Sequence, residues 1–161
     1  MTRAQILRRL LQTLALATST LFLTHCGKTA DTPTTTASFA SIYTTILGTA
    51  CIQCHVPGQP VYVTRGVRLD FTNASVAYTT LTNNLVAGQS STGTCSGIKI
   101  VQAGATNQSY LAGVLFQDYH IANFAGVTNC TPYANHLSDQ NISASQEAAI
   151  VSWINAGAAN N

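Results

Sequence analysis

Two thiols and an imidazole are packed into five consecutive residues, Cys51-Ile52-Gln53-Cys54-His55, and the chemistry of that cluster restricts the chain more than any other feature. Zinc would ask for a second pair of ligands at similar spacing, and Cys95 and Cys130 lie too far apart to supply one. Thiol exchange would ask for a βαβ context, and neither alternating strands nor such a unit is evident. Covalent haem is the chemistry that the spacing favours, with a cofactor-free Cys51–Cys54 disulfide the competing reading. The two cysteines add across neighbouring vinyl groups to form thioethers, and the adjacent imidazole reaches the iron from one side.

The start of the chain points to export. Arg3, Arg8 and Arg9 precede an apolar run from Leu10 to Leu23, the order of a secretory signal and too short for a confident membrane span. The run ends in Leu23-Thr24-His25-Cys26-Gly27, which resembles a bacterial lipobox with Cys26 as the lipid acceptor, although His25 stands where a small residue is usual. The expected organisation is a signal peptide over 1–25, a lipidated cysteine and flexible tether over 26–37, and one domain over 38–161. The expected location is the bacterial cell envelope, at the outer membrane or periplasm. In an oxidising compartment the five cysteines divide without remainder. Cys26 can take lipid, Cys51 and Cys54 form the motif, and Cys95 and Cys130 are left for one disulfide, although two separate buried thiols fit the sequence as well. That bridge closes about 36 residues and contributes ~3 kcal/mol if unstrained.

Charge excludes other partners. Only 7% of residues are charged, so the surface is built from Thr, Ser, Asn and Gln. The portion after the signal carries Lys28, Arg65, Arg68 and Lys99 against Asp31, Asp70, Asp118, Asp139 and Glu147, a net −1. Nothing there forms a phosphate-binding face, so nucleic acid is not an expected partner. Paired-carboxylate catalysis lacks material, since Glu147 is the one glutamate, and no spacing supports a Ser-His-Asp arrangement or a phosphate loop. An electron carrier is expected rather than an enzyme.

Periodicity predicts an all-α domain. Phe39, Ile42, Tyr43, Ile46 and Leu47 recur at helical spacing behind Ser38, a helix that runs into Cys51. A Thr-rich helix is expected from about Asn73 to Leu85, carrying Val76, Leu81 and Leu85. A short element at Ile98 to Val101 and a helix through Tyr110, Leu111, Val114 and Leu115 follow. Ser143-Ala144-Ser145-Gln146 has capping-box spacing before the stripe Ala149, Ile150, Trp153, Ile154, with Gly157 at the stop.

The order of Cys51–His55, Gly66-Val67-Arg68-Leu69-Asp70, Val101-Gln102-Ala103-Gly104 with Ser109-Tyr110-Leu111, and Ile142-Ser143 through Trp153 to Ala158 resembles the small cytochrome c domains of planctomycete-type and other exported bacterial proteins. The resemblance covers residues 39–158. It implies a cytochrome c-like fold in which the first and last helices cross around a covalently attached haem c, with redox proteins as partners and the membrane reached through the lipid anchor.

One departure matters. Similar domains place Met-Pro shortly before the last helix, whereas this chain has Cys130-Thr131-Pro132-Tyr133, and its single methionine is Met1. With His55 as the proximal ligand, three possibilities stay open for the sixth position: His136, five residues after Thr131; His120; or no protein ligand. Arg68 is the candidate propionate partner, with pairing to Asp70 the competing assignment. The leading expectation is a monohaem electron-transfer cytochrome without a methionine ligand. The alternatives are a haem-based ligand-binding or sensing module with an open site, and a haem-free structural lipoprotein on the same scaffold.

Overall fold

The computed structural model describes residues 37–59, 69–86, 95–134, 136–137 and 142–161. Cys26, Arg65, Arg68 and the signal and tether segments lie outside the described residues. Those described are helical, as an all-α reading requires, and none of their helices is long and apolar enough to cross a membrane.

The first helix, α1, begins as α-helix over Phe39–Ile42 and continues as π-helix over Tyr43–Cys51. Ser38 caps it by accepting from the Ser41 backbone N–H at 3.1 Å. The widening has a local cause. The hydroxyls of Thr44, Thr45 and Thr49 each bond a carbonyl four residues back, at 3.0, 2.7 and 3.2 Å, a habit that bends helices. Tyr43 lies over Gly48, where an added Cβ would sit 3.0 Å from the ring. The turn that carries Cys51 is therefore one residue wider than an α-helical turn, a common feature of functional helices.

Helix α2, Ala74–Asn83, starts at Asn73, whose side chain accepts from the Val76 N–H at 3.0 Å. It stops two residues earlier than the sequence pattern suggests. Ala77, Thr80 and Leu81 form its buried face, while Val76 is exposed. Leu85 is 51% exposed and belongs instead to an antiparallel bridge with Lys99, continued by Val86 N–H to the Ile98 carbonyl at 2.8 Å. The Ile98–Val101 segment then feeds α3, Tyr110–Leu115, whose first two N–H groups donate to the carbonyls of Lys99 and Ile100 at 3.1 and 3.0 Å. Helix α4, Ala144–Asn155, has the full capping box: Ser143 accepts from Gln146 N–H and the Gln146 side chain accepts from Ser143 N–H.

Helices α1 and α4 pack on each other at two points, Phe39 against Trp153 with ring centres 5.3 Å apart, and Gln146 Nε2 donating to the Thr45 carbonyl at 3.2 Å. Phe39 also meets Tyr78 of α2 edge-on at 5.2 Å. These aromatic faces form the end of the core away from Cys51. Each buried ring stabilises by roughly 2–3 kcal/mol through the apolar area withdrawn from water. The C-terminal residues close this end: Asn161 accepts from the N–H groups of Phe39 and Ala40, and Trp153 Nε1 donates to the Ala159 carbonyl at 2.8 Å.

Candidate functional site

Cys51 is the last residue of α1, and the next turn continues through the backbone bond from His55 N–H to the Cys51 carbonyl at 3.0 Å. Cys51 is buried and Cys54 exposed, and both are free thiols. Burial pushes the Cys51 thiol up from 9.0 to about 11, with the neighbouring Cys54 adding to the shift. A thiol-exchange motif needs the opposite, a thiolate favoured by a helix N-terminus or a nearby cation. This pair instead follows the carbonyl end of its helix, where the dipole opposes negative charge.

His55 is fixed from behind. Its carbonyl accepts from the Phe71 N–H at 2.8 Å, the Phe71 ring packs on the imidazole at 5.3 Å, and Tyr43 Oη donates to the Phe71 carbonyl at 3.1 Å. Phe71 and Tyr43 thus connect the π-helical turn to the histidine, roles that no local sequence signal announces. The imidazole Nδ1 is buried and takes no hydrogen bond among the described residues. A polar atom in that state costs about 1–3 kcal/mol unless some further group meets the site. Burial, and secondarily the nearby His136, lower the His55 pKa from 6.5 to about 4. The ring is therefore neutral at pH 7, the form that coordinates a metal.

The ring facing His55 is that of His136, with centres 5.9 Å apart and planes at 86°. Metal–imidazole bonds of ~2.0 Å, with ring centres ~1.1 Å from each ring atom, allow two imidazoles on one metal to have centres up to about 6.2 Å apart, and the observed spacing falls within that limit. No group of three or more His, Cys, Asp or Glu side chains gathers to hold a metal among the described residues. A pair of imidazoles is a poor cage for a bare ion, whereas a pair beside Cys-x-x-Cys is a donor set compatible with a haem.

His120 is placed differently. Its Nδ1–H donates to the Gly113 carbonyl at 3.0 Å, and among the described residues the rings packed against His55 are those of Phe71 and His136. Thr131 lies between buried Cys130 and buried Pro132. Cys95 and Cys130 are bonded, S–S 2.04 Å, and both are fully buried. Asp70 accepts from the Thr72 N–H at 2.9 Å and from its hydroxyl. The Arg68 assignment lies outside the described residues, as does the lipidation of Cys26. No family model, curated protein or solved structure matches the chain.

Proposed function

We propose that the chain is an exported monohaem c-type cytochrome that passes single electrons between redox proteins of the bacterial cell envelope, held at the membrane through Cys26. In this reading Cys51 and Cys54 would hold haem c by thioethers, His55 and His136 would bind its iron, and α1 and α4 would play the part of the paired terminal helices of a cytochrome c-like fold. The observation that carries it is the pairing of the His55 and His136 rings, with centres 5.9 Å apart, directly beside a Cys-x-x-Cys pair.

Bound haem supplies a one-electron iron couple, and two imidazoles favour the oxidised state more than an imidazole–thioether pair does. The chain's own residues do the rest. The low basicity of His55 keeps it unprotonated down to mildly acidic pH. Phe71 and Tyr43 hold its orientation. Cys51 anchors the buried side and Cys54 the solvent side of the attachment. Arg68 is the proposed propionate partner, on sequence grounds alone.

The test is production of the full chain in bacteria with a haem-attachment system, followed by mass spectrometry of the 51–55 peptide and a visible spectrum. A haem adduct on that peptide and a low-spin spectrum unchanged by carbon monoxide after reduction are expected. Colourless protein would overturn the reading and leave the haem-free lipoprotein. A high-spin spectrum that shifts with carbon monoxide would select the open-site sensor.

A further inference from the structure

The segment before His136 is tied down at three successive points. Cys130 is bonded to Cys95 and is also held through its backbone, its carbonyl accepting from Phe124 N–H at 2.9 Å and its N–H donating to the Val127 carbonyl at 3.1 Å. Pro132 is among the most deeply buried side chains of the protein and packs on Gly113 of α3. Tyr133 engages the hydroxyl of Tyr110, also on α3, through its backbone. The chain then turns, with Leu137 N–H donating to the Ala134 carbonyl at 3.0 Å, and that turn carries His136.

Gly113 is the tightest of these contacts. A Cβ built there would lie 2.6 Å from Pro132 Cγ, 3.1 Å from Pro132 Cβ and 2.9 Å from Phe124 Cε2. Ordinary carbon–carbon contacts are about 3.5–4 Å, so one methyl group requires a shift of about an ångström. Neither neighbour yields cheaply: the proline ring is fused to the backbone, and Phe124 is fully buried. Moving Pro132 moves the chain four residues before His136.

We propose that Gly113 is a positioning residue for the second axial imidazole: its bare Cα seats Pro132 against α3, and that seat holds His136 beside His55. The inference rests on the two-imidazole reading above and adds how a chain with no methionine at position 131 keeps its sixth ligand in place.

The experiment compares wild type, Gly113→Ala, Pro132→Ala, the double variant, His136→Ala and Ser143→Ala as haem-loaded proteins. Each is read by visible spectrum, melting temperature and carbon monoxide affinity after reduction. Carbon monoxide competes with His136, so its affinity rises in proportion to the open fraction. Wild type should show no carbon monoxide complex where His136→Ala is saturated, and Gly113→Ala should bind with an affinity at least ~10-fold above the upper limit that wild type sets, with a new high-spin component. Pro132→Ala removes Cγ, the nearest of the three atoms that an alanine at 113 would strike, and leaves Cβ and Phe124 Cε2, so the double variant should bind less tightly than the product of independent effects predicts, and a strictly additive gain would refute the shared seat. Ser143→Ala lowers the melting temperature without touching the segment and leaves carbon monoxide affinity at the wild-type value. Wild-type affinity in Gly113→Ala, with His136→Ala fully open, overturns the positioning role alone. Wild type already as open as His136→Ala overturns the two-imidazole reading instead. Should Gly113→Ala yield no holoprotein, Pro132→Ala decides: a gain of similar size supports the seat, and an unchanged affinity refutes it.

Discussion

Alkylation of the haem-free chain separates a haem-attachment pair from a thiol-exchange pair, and the structure fixes the size of the effect. Cys51 is pushed from 9.0 to about 11, two pH units, so its thiolate population at pH 8 falls about 100-fold. A more basic thiolate is also a better nucleophile, and a Brønsted slope of ~0.45 returns roughly 8-fold. The net expectation is a rate about 10-fold below that of an ordinary cysteine. Burial of the sulfur slows it further. The assay is iodoacetamide labelling followed by peptide mass spectrometry, with the same chain in urea as its own reference. Cys51 should label at least ~10-fold more slowly in native buffer than in urea. Exposed Cys54 should change much less. Haem-loaded protein should label at neither. Cys51 reacting in native buffer as fast as in urea, or faster, would refute the placement of that sulfur and revive thiol exchange.

Acid should weaken the haem-free fold through His55. Its folded pKa of about 4 lies below the ordinary 6.5, so the fold favours the neutral ring, and this contribution is complete above pH 6.5 and lost as pH falls through 4. The 2.5-unit gap corresponds to at most ~3 kcal/mol, reduced to about 2 because the ring is only partly buried. The urea midpoint of wild type should fall relative to that of His55→Gln as the pH drops from 7 to 4, and parallel curves would refute the assignment. Ser143→Ala breaks the α4 capping box and should cost about 1 kcal/mol in urea unfolding. An unchanged midpoint would show that the box adds nothing to the packing of Trp153.

Elements with local causes were legible in the sequence, and elements made by distant packing were not. Ser38, Asn73 and Ser143 each cap the helix that follows them because a cap needs a side chain and an N–H only three residues apart. Leu85 misled because an apolar residue four after Leu81 suits a helix as well as it suits a bridge to Lys99, and only the tertiary partner decides. The widened turn of α1 follows from several threonine hydroxyls acting together with Tyr43 over Gly48, a sum that no single residue signals.

The same division runs through the site. Cys51, Cys54 and His55 are adjacent in sequence and so could be read directly, whereas His120 and His136 are both isolated loop histidines that nothing local distinguishes. What separates them is Gly113, which serves both. Its carbonyl engages His120 Nδ1, and its missing side chain admits Pro132. Thr131, between two buried anchors, Cys130 and Pro132, carries no group suited to binding iron, and the segment after Ala134 places the His136 imidazole beside that of His55. On the two-imidazole reading the burial of Pro132 has a use. The segment leading to His136 is held by the Cys95–Cys130 bond and by the seat of Pro132 on Gly113, and without such anchors a loop imidazole has nothing but its own bond to a metal to keep it in place.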